Sequence, residues 1–250
     1  IMVGLPGVFL GLLVWLFAAE PRRGKGDLII PPKQKGVGEV LRTMWSSPSL
    51  RWIGLILTMV PITGFSFIIW GASFFRRVHG MSQAETGFWL GSAMAIGLVA
   101  GNIVAGLVAD KFGKNNPGFN GWFAGLGLLV AFPLALTFSL TSNVYLAIAC
   151  FVGMKFMMTL HLGPIIALSF AQVPVSMRAM MSATINMFIG LAGTGVGGTL
   201  AGFLSKGFEP AYGELSLQPT LALLSLCLVV GGIAAIMAGR TARPLPLEEQ

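Results

Sequence analysis

Long apolar runs separated by short polar segments dominate this sequence. Seven runs approach the length of about 20 apolar residues with which a helix crosses the hydrocarbon core of a bilayer. They cover residues 1–19, 52–75, 86–109, 119–140, 144–171, 179–204 and 219–238. The pattern predicts an all-α integral membrane protein with about seven spans.

The longest polar segment, residues 20–48, divides into two parts. Its first part, 22–36, holds glycine and proline among polar residues and predicts a flexible linker. Apolar residues then recur at helical spacing in 37–45, which predicts a short amphipathic helix on the membrane interface. Ser47 followed by Pro48 is a typical helix start, with serine as the N-cap and proline in the first turn.

Composition and charge agree with a membrane location. The sequence is 55% hydrophobic and 10% charged, with a mean hydropathy of +0.81, whereas a soluble domain carries roughly 25% charged residues. The net charge of +7 does not indicate nucleic-acid binding, because 12 lysines and arginines lie in loops on one side of the predicted spans and 3 on the other. This asymmetry predicts that the C-terminus and residues 20–48 are cytoplasmic.

A polar turn between two spans carries the most specific pattern of the chain. Residues 106–114 read G-x-x-x-D-K-x-G-K, with defined positions at Gly106, Asp110, Lys111, Gly113 and Lys114. A glycine permits close helix contact, and an aspartate at a helix end can face the positive N-terminus of a neighbouring helix. The turn resembles the signature turn of the major facilitator superfamily, in the copy between the eighth and ninth helices. A generic positively charged loop is the alternative interpretation.

Further patterns resemble the Spinster-like branch of this superfamily, which includes bacterial relatives of the animal sphingolipid transporters. These patterns occupy residues 70–82, 161–164, 174–186, 213–217 and 240–245. The sequence departs from the branch at Gly71 or Ala72, at His161 and at Lys206, and these departures leave the identity of the substrate open.

The resemblance implies the C-terminal six-helix bundle of a major facilitator transporter. Residues 1–19 would end the sixth helix, 20–48 would form a cytoplasmic linker, 49–239 the six-helix bundle and 240–250 a cytoplasmic tail. The N-terminal half of the transporter would be missing from this chain, and a substrate would bind between the halves near the midplane. The implied function is secondary active transport of a lipid-like or hydrophobic organic small molecule by alternating access, coupled to ions or protons, in a bacterial inner membrane.

The resemblance also assigns roles to two cytoplasmic turns. Asp110 would latch the fifth helix of the absent half. By pseudo-symmetry, the helix that starts after Pro174, near Arg178, would receive the equivalent latch from that half.

Lys155 lies about midway along its predicted span, where a charge costs at least ~2.5 kcal/mol on insertion scales. It would contact a substrate headgroup or act in a proton-linked switch. Alternatively, its side chain extends towards the nearer membrane interface. No acidic residue lies within any predicted span except near its ends, so a charge partner would come from the absent half or from the substrate.

Three further candidates for the substrate cavity share that span. His161 would suit proton coupling because imidazole exchanges protons near neutral pH, although a histidine bonded to a backbone carbonyl is the alternative. Pro164 follows Gly163 and is expected to kink the helix and free a carbonyl, as a gating hinge does. Met157 would line an adaptable pocket, or it simply packs.

Four more candidates lie on other spans. Thr63, Phe67 and Trp70 would give the cavity an aromatic, weakly polar wall suited to an amphiphilic substrate, and Asn186 would contribute an amide. An interfacial anchor is the alternative for Trp70, and an interhelical hydrogen bond is the alternative for Asn186.

Glycine pairs spaced four residues apart recur along the spans, among them Gly97 with Gly101 and Gly193 with Gly197. Such pairs predict close contact between helices. Their concentration in two spans fits helices that move against another half.

The sequence lacks several motifs that would indicate other functional classes. No phosphate-binding loop, Ser-His-Asp constellation or metal-ligand cluster occurs in it, so neither an enzyme nor a cofactor is indicated. Cys150 and Cys227 both fall inside apolar runs and indicate no disulfide framework. A seven-span receptor-type protein and a non-transporting membrane scaffold remain as alternatives. A retinal protein is disfavoured because the last span, 219–238, holds no lysine.

Overall fold

The computed structural model describes residues 4–17, 36–113 and 116–243, and the elements within these ranges are all helices. The chain divides into two compact units, Ile1–Lys33 and Gln34–Gln250. The first unit contains helix α1 (Gly4–Phe17), whose 14 residues are all apolar or glycine and proline. The prediction of a span over 1–19 extends beyond the described part of this unit.

The second unit contains nine further α-helices within its described residues, some of them joined by short π-helical or 3-10 turns. They are α2 (Val37–Ser46), α3 (Pro48–His79), α4 (Gln83–Val108) with a π-helical turn at Ala109–Gly113, α5 (Pro117–Leu140), α6 (Val144–Thr159), α7 (Leu162–Phe170), α8 (Val175–Gly190) with a π-helical segment at Leu191–Gly197, α9 (Gly198–Tyr212) with a 3-10 turn at Gly213–Ser216, and α10 (Leu217–Arg240).

Five helical stretches among the described residues are long and apolar enough to cross a membrane. The fifth, Val175–Arg240, has 66 residues and contains a reversal of the chain. The hydroxyl oxygens of Ser205 and Ser216 lie 3.0 Å apart, whereas a straight helix would separate these positions by about 16 Å. Gly213 permits the reversal with a φ of +55°, a value that glycine adopts without steric cost. The stretch therefore holds two crossings, and the predicted all-α, six-helix membrane bundle is confirmed.

The helix starts show why the chain folds locally as it does. Ser47 caps α3 by accepting a hydrogen bond from the Leu50 amide at 3.5 Å, with Pro48 in the first turn, as the sequence predicts. At α4, Ser82 and Glu85 form a reciprocal capping box, which satisfies two amides that would otherwise lack partners. This box starts α4 at Gln83, before the predicted apolar run at 86.

Close backbone contacts hold the bundle together. Helix α10 packs against α5 and α3. A Cβ atom added at Gly121 would lie 2.5 Å from the Gly239 backbone, and one at Gly125 would lie 2.7 Å from the Gly232 carbonyl oxygen. Only glycine allows the α5 and α10 backbones to approach so closely.

The core between the helices is aromatic at one end. It includes the fully buried side chains of Phe67, Phe74, Phe75, Phe138 and Phe151. The Phe138 ring lies at the centre, with ring centroids 4.6 Å from Phe74 and 5.3 Å from Phe151. Tilted and edge-on pairs of this kind add to the stability gained from burial alone.

Helix α4 is the least covered of the crossings. Only 22% of its most apolar stretch is buried inside the bundle, against 44–50% for the other four. Gly106, near its end, has no neighbouring atom within 4 Å of an added Cβ. One side of α4 is thus open along the bundle surface.

Candidate functional site

A cavity of about 200 Å³ lies among α3, α4, α6, α7 and α8. Its wall is apolar except for four side chains, namely Asn102, Lys155, Thr159 and His161. Lys155 and Gly64, which also lines the cavity, lie near the midpoints of the stretches Val144–Phe170 and Pro48–His79. The cavity is therefore at mid-height in the bundle.

Lys155 is held at this height by a backbone carbonyl. Its side chain is 4% exposed, and its Nζ donates to the Gly64 carbonyl oxygen at 3.2 Å. The Nζ also lies 5.4 Å from the centroid of the Phe151 ring, within the range of a cation–π contact. Because Gly64 is at mid-height, the ammonium does not extend to an interface.

The ammonium group of Lys155 keeps unused hydrogen-bonding capacity. An ammonium has three donors, and one of them reaches Gly64. No acidic side chain lines the cavity among the described residues. A buried charge that is not paired is costly, so this group is ready to bind an acceptor or an anion that enters the cavity.

Two glycines on α4 position this lysine. An added Cβ at Gly97 would lie 2.8 Å from the Lys155 Cβ, and one at Gly101 would lie 2.8 Å from the Thr159 Cβ. The predicted close contact at this glycine pair is confirmed, and it occurs inside the bundle. The α4 backbone packs closely against the turn of α6 that carries Lys155 and Thr159. This contact fixes the position of the Lys155 Cβ.

The helix is interrupted beside the cavity between α6 and α7, at Leu160 and His161. Pro164 has no amide hydrogen and cannot donate to the Leu160 carbonyl four residues earlier, which accounts for the break that the sequence predicts. The His161 Nδ1 contacts the Met158 carbonyl oxygen. Since a carbonyl only accepts, Nδ1 carries the proton and Nε2 is the acceptor in the neutral ring. This is the backbone-bonded arrangement considered as the alternative for His161.

Two residues predicted to line the cavity lie outside it. Thr63 is fully buried and donates to the Leu224 carbonyl oxygen of α10 at 2.7 Å. The Phe67 ring is also fully buried and lies 5.5 Å from the Phe138 ring. The cavity takes its α3 wall from another face of the helix, which includes Pro61 and Gly64. The prediction for Thr63 and Phe67 is corrected accordingly, because their side chains point into the bundle core.

Trp70 joins α3 to α9 and is also outside the cavity. Its indole Nε1 donates to the Gly198 carbonyl oxygen at 2.9 Å. One turn earlier on α3, the Ser66 hydroxyl donates to the Gly197 carbonyl oxygen at 2.7 Å. A π-helical segment disturbs the regular hydrogen bonds of a helix, and these two side chains supply donors where it ends. Trp70 is therefore a contact between helices, and the sequence reasoning did not identify Ser66.

The glycine pair of the π-helical segment also packs within the bundle. An added Cβ at Gly197 would lie 2.6 Å from the Ile62 carbonyl oxygen, and one at Gly193 would overlap the Phe65 ring. The close contact predicted for this pair is present. It is made with α3 of the same bundle.

The remaining cavity candidates do not line the cavity either. Met157 is half-buried, and its carbonyl oxygen faces Gly127 of α5. Pro164 is buried within α7. Asn186 is exposed and donates to the Ser182 carbonyl oxygen of its own helix at 2.9 Å, and within the described ranges it makes no bond to another helix. Asn102, which lines the cavity, was not among the predicted cavity residues.

The signature turn ends α4 in a π-helical turn, Ala109–Gly113. Asp110 and Lys111 are both exposed, and neither carboxylate oxygen of Asp110 has a hydrogen-bond or ion-pair partner among the described residues. The Lys111 Nζ lies 5.4 Å from the centroid of the Phe112 ring. Lys114 lies outside the described residues.

The second glycine of the turn is required by Asn120. A Cβ at Gly113 would overlap the Asn120 side-chain amide. The Asn120 side chain is 4% exposed, and its Oδ1 has no partner among the described residues. The sequence reasoning missed Asn120 because it falls in an apolar run beyond the turn.

The start of α8 holds buried polar atoms for which the described part of the chain supplies no partner. Pro174 is the residue before the helix, and Arg178 in its first turns has a buried Nε without a partner among the described residues. The Gln172 side chain is 7% exposed, and its Oε1 also lacks a partner there. These groups lie beside the helix that was predicted to receive a latch from another half.

The sequence profile described as Major Facilitator Superfamily matches residues 1–198. The chain belongs to the major facilitator superfamily. A curated relative, the MFS-type efflux pump of Mycolicibacterium smegmatis, is 27% identical over 208 residues, which are 81% of this chain and 47% of the relative. The chain thus spans about half the length of this transporter.

Two solved structures support the Spinster-like resemblance. Both are crystal structures of a bacterial homolog to the human lysosomal transporter Spinster, in inward-facing conformations. The unoccupied form is 25% identical with a TM-score of 0.77, and it covers 96% of this chain and 58% of that protein. The occupied form, at 24% identity and a TM-score of 0.71, matches in fold over 96% of this chain and 57% of that protein. The chain is a Spinster-like, multi-pass membrane member of this transporter superfamily.

Proposed function

We propose that this chain forms one half of a secondary active transporter for amphiphilic or hydrophobic organic small molecules, and that Lys155 contacts the polar end of the substrate. The observation that carries the proposal is the buried lysine in an otherwise apolar cavity at mid-height in the bundle. Evolution rarely keeps such a charge in a span without a functional partner. An apolar wall with one ammonium fits a molecule with an apolar body and one acceptor or anionic group.

Helix irregularities around the cavity support alternating access. Pro61 in α3, the break at Leu160 and His161, and the π-helical segment Leu191–Gly197 interrupt regular hydrogen bonding in three crossings. Discontinuous helices near the midplane are typical of substrate sites in secondary transporters. In this proposal the α6–α7 break with Pro164 acts as the gating hinge.

The second half of the transporter supplies the opposite wall of the cavity. The open side of α4 would face it, as would the Asp110 carboxylate, which has no partner in the part of the chain that the structure describes, and the half-buried Arg178 would receive the equivalent latch. An ion or proton gradient would drive the cycle, as the family resemblance implies. The excess of basic loop residues on one side supports a cytoplasmic C-terminus in a bacterial inner membrane.

Transport by the full-length protein in proteoliposomes tests the role of Lys155. The probes are two fluorescent single-chain amphiphiles with the same tail, one with a phosphate headgroup and one with an uncharged glycerol headgroup. Lys155→Met should reduce uptake of the phosphate probe about tenfold or more, the effect of losing a hydrogen bond to a charged group, and change uptake of the neutral probe much less.

The matched control is Lys206→Met, because Lys206 is exposed and lies outside the cavity. It should leave uptake of both probes unchanged. Equal uptake of the phosphate probe by Lys155→Met and the unmodified transporter would contradict the proposal.

A further inference from the structure

A second cavity lies at the end of the bundle where α3 begins. It encloses about 600 Å³ between α2, α3 and α8, and its lining includes Leu41, Met44, Trp45, Leu55 and Phe188, with Arg51 as its charged residue. None of these residues lines the cavity that contains Lys155. This groove is therefore a separate feature, and it has no part in the function proposed above.

Helix α2 forms one wall of the groove at the level of the membrane interface. A single residue, Ser47, separates α2 from α3, and α3 is a membrane crossing. Helix α2 thus lies where the apolar span starts, which is the boundary between headgroups and acyl chains.

Helix α2 also has two apolar faces. Val40 and Met44 are 0% and 5% exposed because they pack on the bundle. Leu41 and Trp45, one turn apart on another face, are 38% and 79% exposed. A tryptophan so exposed at this level is typical of contact with the lipid interface, so the outward face of α2 is suited to lipid.

Arg51 provides the groove with an unused positive charge. Its side chain is exposed and has no hydrogen-bond or ion-pair partner among the described residues. An arginine guanidinium matches the geometry of a phosphate group and binds it through two parallel hydrogen bonds. The sequence around it is basic, since residues 20–51 hold seven lysines and arginines against three acidic residues.

We propose that this groove binds an anionic membrane phospholipid. An acyl chain lies along the apolar wall formed by Leu41, Trp45 and Leu55, and the headgroup phosphate binds Arg51. The combination of apolar volume, interfacial depth and an arginine with no side-chain partner among the described residues favours this occupant, because basic pockets between helices near the membrane surface select anionic headgroups.

Quenching of tryptophan fluorescence by brominated lipids tests the site in the full-length transporter purified in detergent. Dibrominated phosphatidylglycerol is titrated against dibrominated phosphatidylcholine, and the signal of Trp45 is the difference between the unmodified protein and Trp45→Phe. Trp45 should be quenched at lower concentrations of phosphatidylglycerol. Arg51→Gln should raise the phosphatidylglycerol concentration for half-quenching about fivefold, while Arg51→Lys retains most of the preference.

Three controls distinguish binding at the groove from non-specific quenching. Arg76→Gln, at the opposite end of the same helix and also exposed, should leave the titration unchanged. Inorganic phosphate should not compete, because it lacks an acyl chain. Gly54→Leu should weaken quenching by both lipids, since Gly54 lines the groove and an added Cβ there meets only the Met44 Cε at 3.8 Å.

Two results would overturn the proposal. If neither lipid quenches Trp45, protein covers the groove, and the second half of the transporter is its occupant. If both lipids quench equally and Arg51→Gln changes neither titration, the groove is an apolar surface without a headgroup site. The measurement involves no transport, so either result leaves the proposed function untouched.

Discussion

Two helix contacts in this bundle are formed by glycine pairs with the same spacing in the sequence, but they have different structural roles. Between α5 and α10, Gly121 and Gly125 lie against the backbone of Gly239 and Gly232. Between α4 and α6, Gly97 and Gly101 lie against the first side-chain carbons of Lys155 and Thr159. Both contacts bring two helix backbones together, since an added Cβ at Gly97 would also lie 3.0 Å from the Val152 carbonyl oxygen. Only the second contact also holds the start of a charged side chain that reaches a cavity.

The comparison shows that a pair of glycines four residues apart predicts close contact between two helices but not the role of that contact. Whether the approach serves rigidity or a site depends on what the neighbouring helix presents. Substitutions at the α5–α10 contact should therefore mainly lower the stability of the fold. Substitutions at the α4–α6 contact should reduce transport more than they reduce stability.

The largest effect is expected at the α5–α10 contact. Gly121→Leu places a Cβ 2.5 Å from the Gly239 backbone, and a backbone cannot move aside as a side-chain end can. The free energy of unfolding of the full-length protein, measured by titration with SDS in mixed micelles, should fall by about 3 kcal/mol or more. Gly207→Leu, at an exposed position of α9 with no atom within 4 Å of an added Cβ, is the control and should be nearly neutral.

A smaller change in stability with a large change in transport is expected at the α4–α6 contact. Gly97→Ala pushes α4 away from the Lys155 Cβ, which is 2.8 Å from the added atom. The free energy of unfolding should fall by about 1–2 kcal/mol, while uptake of the phosphate-headed amphiphile falls more than that loss of folded protein explains. Gly207→Ala, at an exposed position of α9 with no atom within 4 Å of an added Cβ, should change neither. Parallel losses of stability and uptake would remove the distinction between the two contacts.

A loss of about 1–2 kcal/mol is also expected when Ser66 no longer donates to Gly197. Ser66→Ala leaves that carbonyl, at the end of the π-helical segment, without the hydroxyl that reaches it at 2.7 Å. The same SDS titration measures the change. Thr199→Ala removes an exposed hydroxyl that bonds to the Gly195 carbonyl oxygen of the same crossing and should cost much less. An equal cost at both positions would mean that the α3 contact adds nothing.

The smallest effect on stability is expected at the signature turn. Asp110 is exposed and unpaired among the described residues, so Asp110→Ala should change the free energy of unfolding by less than about 0.5 kcal/mol. Uptake in proteoliposomes should nevertheless fall, because the proposed latch to the second half is lost. Unchanged uptake would refute the latch and leave Asp110 as a solvated end of a helix.

The sequence predicts the architecture well, and physical reasons explain why. A bilayer requires long apolar helices with satisfied backbones, so each crossing leaves a run that hydropathy detects. The start of α6 at Val144 and the capped start of α3 at Ser47 agree with the predictions. The start of α4 differs because its capping box is polar and extends the helix beyond the apolar run.

Sequence reasoning identifies residues of the site only where a charged or helix-breaking residue interrupts an apolar run. Lys155 is found because a charge inside a span is costly, and Pro164 because its ring breaks a helix. Thr63 and Phe67 are misplaced because a membrane helix can be apolar on all sides, so periodicity does not identify the face that lines a cavity. The Gly64 carbonyl that binds Lys155 leaves no sequence signal, since every residue carries the same group.

The π-helical segment Leu191–Gly197 has a consequence for the whole crossing that contains it. A π-bulge accommodates one residue more than an α-helix of the same path, and each residue turns an α-helix by about 100°. Helical wheels drawn for α8 and for α9 are therefore out of phase by about 100°, and a single wheel through both misplaces the residues of one of them by that angle. Removal of one residue such as Gly195 would turn the segment into a regular α-helix of the same path and leave Gly198 and Gly202 packed on Ile69 and Trp70.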